Sequence, residues 1–159
     1  MKALALDPGK TTGYAIAYLN EATKEMEIEV DEEAFTMHEM YEFVEACISI
    51  GEDPNVHIIY EDFSYRNQAR AGLDLTPVKL IGIIELYKER YEPFVGFHKQ
   101  SAATGKAFWS DDKLKEYGIY RRGKKHGRDA TRHLMQWLAF GPGSQYAFIS
   151  DLTINLEVT

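Results

Sequence analysis

The sequence predicts an α/β fold in which a mixed five-stranded sheet is covered by helices on both faces. Three observations carry that expectation. The first thirty residues hold three strand-like runs joined by short connections, which is the pattern of an antiparallel meander. From there on, helical and strand periods alternate. Finally, VHIIYE, residues 56–61, has the compact β-branched centre of a strand buried inside a sheet.

Taken in order, KALALD (2–7) is a short apolar run ending on an acid, and TGYAIAYL (12–19) follows after a turn rich in Pro and Gly. EMEIEV (25–30) alternates strictly and makes the third strand. In the first connection, DPGKTTG, Gly9 and Gly13 are expected to supply backbone freedom for a tight hairpin and to keep bulk away from the carboxylate of Asp7.

Thr36 followed by Glu39 matches a capping box, and Met37, Met40, Phe43, Val44, Cys47 and Ile48 recur at helical spacing until Gly51. After VHIIYE, Pro77 opens a second helix running to about Tyr91, with Val78, Ile81, Ile84, Leu86 and Tyr87 on its apolar face. PFVGFH (93–98) reads as the fifth strand. Residues 99–125 read as polar and irregular, with a short helix near Asp111–Tyr117. A last helix spans about Gly127 to Phe140, burying Ala130, Leu134, Trp137, Leu138 and Phe140, and GPG stops it. The tail, residues 145–159, is either an extra strand or a partner-binding arm. Strand order and helix placement together make a ribonuclease-H-like arrangement the natural candidate, in a single domain over 1–159 with its core over about 2–140.

At 159 residues the chain is long enough for a full hydrophobic core without disulfides. Its one cysteine, Cys47, reads as a buried thiol of a reducing compartment. With no signal-like start and no 18-residue apolar run, the expectation is a cytoplasmic protein with no membrane partner. The net charge of -7 hides an asymmetry: residues 1–62 carry 3 basic and 15 acidic side chains, whereas residues 98–132 carry 10 basic and 4 acidic ones. A polyanion responds to the local field rather than to the sum, so nucleic acid stays open as a partner.

The acids at the strand ends carry the chemistry. Asp7 ends the first strand; Glu61 ends the fourth, with Asp62 next to it. The carboxyl ends of central strands are where functional groups gather in α/β sheets. Two carboxylates placed close together repel unless a proton or a cation lies between them. Their hard oxygens suit Mg²⁺ or Mn²⁺. Alternation lets only one of Glu61 and Asp62 face inward, and spacing alone leaves that choice open. KKHGRDATRH (124–133) adds His126 and Asp129, three apart on one helix face. Asp129 could complete an acidic metal cluster, and it is equally an ordinary helix-start acid. His126 could ligate metal or handle the proton of an attacking water. His133, four residues beyond Asp129, could be a partner standing behind the metal ligands, with an ordinary histidine of the polar helix face the stronger reading. Two ions held by such acids, about 4 Å apart, would activate water and stabilise the leaving oxygen of a phosphodiester.

Arg121, Arg122, Lys124, Lys125, Arg128 and Arg132 crowd around Asp129, the pattern of a phosphate-backbone track. In EDFSYRNQARAG, Phe63, Tyr65, Arg66 and Arg70 mix rings and cations as stacking sites on unpaired or branched nucleic acid do. Lys99 and Lys106 are further candidate phosphate contacts. SAATGK lacks the spacing of a nucleotide-binding P-loop.

LALDPGKTTGYA, IIYEDF and HGRDATRHL, in that order, resemble the RuvC-type Holliday junction resolvases of the ribonuclease-H-like nuclease superfamily, in the style of the phage-encoded branch. The resemblance covers about residues 2–140. It implies a metal-dependent, structure-selective endodeoxyribonuclease acting on four-way junctions, working as a homodimer in the cytoplasm (the host's, if phage-encoded). It places the family's metal-holding and catalytic acids on Asp7, Glu61 and Asp129, makes Asp62 the bystander, and puts His126 where family members carry either an acid or a histidine. Apolar residues near Leu73–Ile84 are a candidate dimer surface, with core packing the stronger reading for most of them. Asp–Gly phosphate turns also open sugar-kinase and chaperone-type ATPases, but those need a second lobe and a longer chain. A nuclease for other branched DNA or structured RNA, and an inactive nucleic-acid-binding module, remain the competing readings.

Overall fold

The structure is a computed structural model and describes residues 1–49, 55–63 and 74–157. Its elements in chain order are β1 (Lys2–Asp7), β2 (Thr12–Asn20), β3 (Glu25–Glu33), α1 (Met37–Ser49), β4 (Val56–Asp62), α2 (Thr76–Tyr91), β5 (Val95–Ser101), α3 (Asp111–Glu116), α4 (Lys125–Phe140) and β6 (Thr153–Glu157). The six strands lie in the order β5-β4-β1-β2-β3-β6. The β1–β2 and β2–β3 pairs are antiparallel, and β1–β4, β4–β5 and β3–β6 are parallel. This is an α/β fold with a mixed sheet flanked by helices, consistent with the expected ribonuclease-H-like arrangement but with six strands where five were expected.

The extra strand is the tail. Thr153–Glu157 runs parallel to β3, with Ile154 opposite Met26 and Leu156 opposite Ile28, and both side chains pack on the core. Its signal is a five-residue alternation, and its partner lies more than a hundred residues away in sequence. Nothing local could have told a strand from an arm.

Two cores flank the sheet. On one face, Ala3, Ala5, Ala15 and Ala17 of the central strands lie under Ala130, Leu134, Trp137 and Leu138 of α4. These small strand residues let the helix approach closely. On the other face, Leu4, Leu6, Ile58 and Tyr60 meet Met40, Val44 and Cys47 of α1 and Leu80, Ile83, Ile84 and Tyr87 of α2. The period-2 alternation of β1 and β4 assigns each side chain to one core or the other.

Several local expectations hold. Thr36 and Glu39 form the capping box, with Thr36 N donating to Glu39 Oε2 at 2.8 Å and Glu39 N donating to Thr36 Oγ1 at 3.2 Å. Cys47 is buried. Others shift. On α2 the buried row is Leu80, Ile83, Ile84 and Tyr87, spaced three and four apart, while Leu86 is 56% exposed and Val78 also faces outward. Phe140, the last residue of α4, is 60% exposed, with its ring edge-on to Phe108. β5 begins two residues later than expected and continues to Ser101. Among the described residues, no helix is long and apolar enough to cross a membrane.

Candidate active site

Strand pairing brings the first two acids together. Leu6 is level with Tyr60 in the parallel β1–β4 pair, so the next residues along, Asp7 and Glu61, emerge side by side from the strand ends. Both continue the odd-numbered rows that carry Ala3, Ala5 and Ile59, and therefore face α4. Asp62 points to the opposite face, 3.9 Å from Lys99 Nζ. Geometry thus separates the two neighbouring acids that spacing could not.

The start of α4 is held directly over these strand ends. A Cβ on Gly13 would stand 2.0 Å from the His126 carbonyl carbon and oxygen, so only glycine admits the helix there. Gly127 makes the reciprocal approach, where a Cβ would lie 2.8 Å from the Asp31 carbonyl oxygen. Neither Gly9 nor Gly13 has a positive φ. Close packing, not hairpin freedom, explains Gly13. Glu32 Oε2 accepts from the backbone N–H of His126 at 2.7 Å and of Gly127 at 3.4 Å. A carboxylate from β3 thereby caps the helix and suits its positive end.

Each acid of the set has a specific partner. His126 Nδ1 lies 2.9 Å from Asp7 Oδ2. His133 is 1% exposed, with Nε2 2.9 Å from Glu61 Oε2 and Nδ1 2.9 Å from Gln100 Oε1. It is a buried partner of the site, not a polar-face residue: α4 sits so close to the sheet that the row one turn beyond Asp129 faces inward. The buried carboxylate of Asp129 receives Arg132 Nη1 on Oδ1 and Lys106 Nζ, at 3.2 Å, on Oδ2. Arg132 is itself fixed by Asp111 and by the Trp109 carbonyl, which accepts from Nε at 2.7 Å.

Burial pushes the Asp7 carboxyl above its usual range. The bond from His126 opposes that shift, while the negative charges of Glu61 and Asp129 add to it. Three carboxylates within electrostatic reach and one imidazole make a hard, oxygen-rich donor set, which fits Mg²⁺ or Mn²⁺. Even so, among the described residues no three His, Cys, Asp or Glu side chains stand together as a ready-made cation cage. Asp129 is turned instead onto Lys106 and Arg132.

The candidate nucleic-acid contacts divide. Lys106 reaches the site through Asp129. Phe63 lines a cavity of about 230 Å³ beside Glu61, together with Pro8, Pro77, Ile81 and Ala102. Arg122 and Lys125 are exposed near the start of α4. Lys124 pairs with Asp31. Arg128 is a brace: its Nη1 donates to the Arg121 carbonyl at 3.0 Å and its guanidinium lies 4.9 Å from the Tyr120 ring centroid. Lys99 lies on the face away from the acids, bonded to Glu85 at 2.6 Å. Tyr65, Arg66 and Arg70 lie outside the described residues. Glu32 and Gln100 escaped sequence reasoning. Nothing local distinguishes Glu32 from its acidic neighbours, and Gln100 gains meaning only when β5 is placed beside β4.

No protein-family model and no curated protein sequence matches the chain. Solved structures do match its fold. RuvC of T. thermophilus, in complex with Holliday junction substrate, superposes with a TM-score of 0.54 at 16% identity, over 86% of this chain and 92% of that one. The fowlpox virus Holliday junction resolvase gives a TM-score of 0.55 at 14% identity, over 87% and 98% of the two chains. For the yeast mitochondrial Holliday junction resolvase Ydc2, the TM-score is 0.54 at 14% identity, over 86% and 77%.

Proposed function

We propose that this protein is a divalent-metal-dependent endonuclease that cleaves branched DNA, four-way junctions above other substrates. One observation carries the reading: Asp7 and Glu61 leave adjacent parallel strands on the same face, directly beneath the helix that brings His126 and Asp129. Asp7, Glu61 and Asp129 would hold Mg²⁺ or Mn²⁺, two ions at full occupancy, with His126 as a further ligand or proton carrier. The metal supplies Lewis-acid stabilisation and an activated water.

The chain's own residues do the rest. Asp7 accepts from His126 Nδ1, which orients the imidazole and leaves Nε2 to ligate or to take a proton from water. Lys106 neutralises Asp129 and is half exposed, so it can exchange that carboxylate for a phosphate oxygen as metal arrives. Arg122 and Lys125, beside the helix start, would track the DNA backbone. Phe63, at the cavity edge, would stack on or wedge into the branch point, with Tyr65, Arg66 and Arg70 of the following segment. A homodimer would set two such sites across one junction. The outward apolar row of α2, with Val78 and Leu86 exposed on either side of Gly82, supports that arrangement.

The resolvases that share this fold support the substrate class by analogy. The test is Asp7→Asn with a labelled four-way junction in Mg²⁺ or Mn²⁺. Nicking should fall at least about a hundredfold with junction binding retained. Full activity in that variant would sink the proposal. Junction binding by the wild-type chain with no nicking in either metal would favour the inactive binding module.

A further inference from the structure

We infer that His133 and Gln100 are positioning residues that fix one oxygen of Glu61, so that Glu61 presents its other oxygen to a divalent cation. The inference rests on the nuclease reading of the acid set and goes beyond it. It concerns a histidine first read as a polar-face residue and an amide that the sequence did not single out.

The geometry closes on itself. Gln100 Nε2 donates to the His133 backbone carbonyl at 3.2 Å, which commits the amide nitrogen. The amide oxygen is therefore turned to His133 Nδ1, 2.9 Å away. With Nδ1 donating to that oxygen, the ring is oriented so that Nε2 meets Glu61 Oε2 at 2.9 Å, and donating there as well takes the imidazolium form, in which both ring nitrogens carry a proton. Turning the ring over would put carbons in both places and lose both bonds. Each anchor comes from a different element. Glu61 and Gln100 are level on the paired strands β4 and β5, and His133 descends from α4. The His133 side chain is 1% exposed and that of Glu61 18%, so the imidazole meets the carboxylate from the buried side.

A carboxylate on a strand end otherwise rotates about its last torsion and can chelate with both oxygens. Held at Oε2, Glu61 offers only Oε1, which suits the strict coordination geometry of Mg²⁺ better than the looser demands of Ca²⁺. Hydrogen-bond partners behind a ligand commonly change metal affinity by about 10- to 100-fold.

The test measures Mn²⁺ binding to the full chain by titration followed with electron paramagnetic resonance, alongside junction nicking. His133→Leu fills the space without a donor and should weaken Mn²⁺ binding about tenfold or more. His133→Gln restores a donor near Nε2 and should recover binding to within about threefold of wild type. Gln100→Leu removes the outer anchor and should weaken binding by an intermediate factor. Wild-type affinity in His133→Leu, or no recovery in His133→Gln, overturns the inference. If melting shows that His133→Leu does not fold, Gln100→Leu decides, and unchanged affinity there overturns it. A wild-type chain that neither binds Mn²⁺ nor nicks junctions overturns the nuclease reading and this inference together. Wild-type binding that ignores His133 overturns the positioning role alone.

Discussion

Asp7, the first acid of the proposed site, opposes stability at neutral pH. It is largely buried, and its carboxyl is raised by burial and by Glu61 and Asp129. A carboxyl whose folded pKa lies above its unfolded value favours the protonated folded state. Its contribution is therefore fully present at pH below the unfolded value and is lost as pH rises through the folded one. Asp7→Asn keeps an acceptor for His126 Nδ1 and removes the like charge. Thermal melting should accordingly show the variant more stable than wild type at pH 7–8, with the gain shrinking toward pH 4; a variant less stable at neutral pH would contradict this account. Gly13 makes the opposite case. Gly13→Ala forces a methyl into the His126 carbonyl, so it should cost about 3 kcal/mol in denaturant unfolding and impair nicking through displacement of α4.

Among the elements, α4 does most to build the site. It carries His126, Asp129 and His133 on the row that faces the sheet, and its start is seated by Gly13, Gly127 and Glu32. Its existence was legible from apolar spacing, but its depth was not. The alanine rows of β1 and β2 let the helix in close, and that closeness turned His133 from an expected surface residue into a buried one. At the far edge, β6 covers β3. Truncation after Asp151 should remove about 2 kcal/mol of apolar burial from Ile154 and Leu156 and expose the edge of β3. The expected result is a lower melting temperature and concentration-dependent aggregation, measured by calorimetry and light scattering. A monodisperse truncated chain with wild-type melting would show that β6 contributes little.

For the whole molecule, selectivity is the property to measure. Four-way junctions, flaps, linear duplex and structured RNA should be compared at one salt concentration, because phosphate contacts make nucleic-acid affinity depend steeply on salt. Junctions should be nicked fastest; equal rates on linear duplex would remove the structure-selective part of the proposal. Sedimentation of the free chain and of Leu86→Glu should separate a dimer from a monomer if the outer face of α2 is the contact. Under the proposed function, the contrast between the acidic first part of the chain and the basic stretch over 98–132 is the charge asymmetry that would steer DNA.

By itself, the sequence determined the periods: which runs are strands, which are helices, and where acids fall at strand ends. Local propensity and spacing carry that information along the chain, so the α/β class, the capping box, and Asp7, Glu61 and Asp129 as candidates were all legible. Tertiary structure alone decided which side chains meet. Strand register turned Glu61 toward α4 and Asp62 away from it, and parallel pairing made the tail a sixth strand. Helix depth gave Glu61 its histidine and Asp129 its lysine. Those contacts join residues tens to more than a hundred positions apart, and only the packing of the sheet against α4 brings them within hydrogen-bond distance.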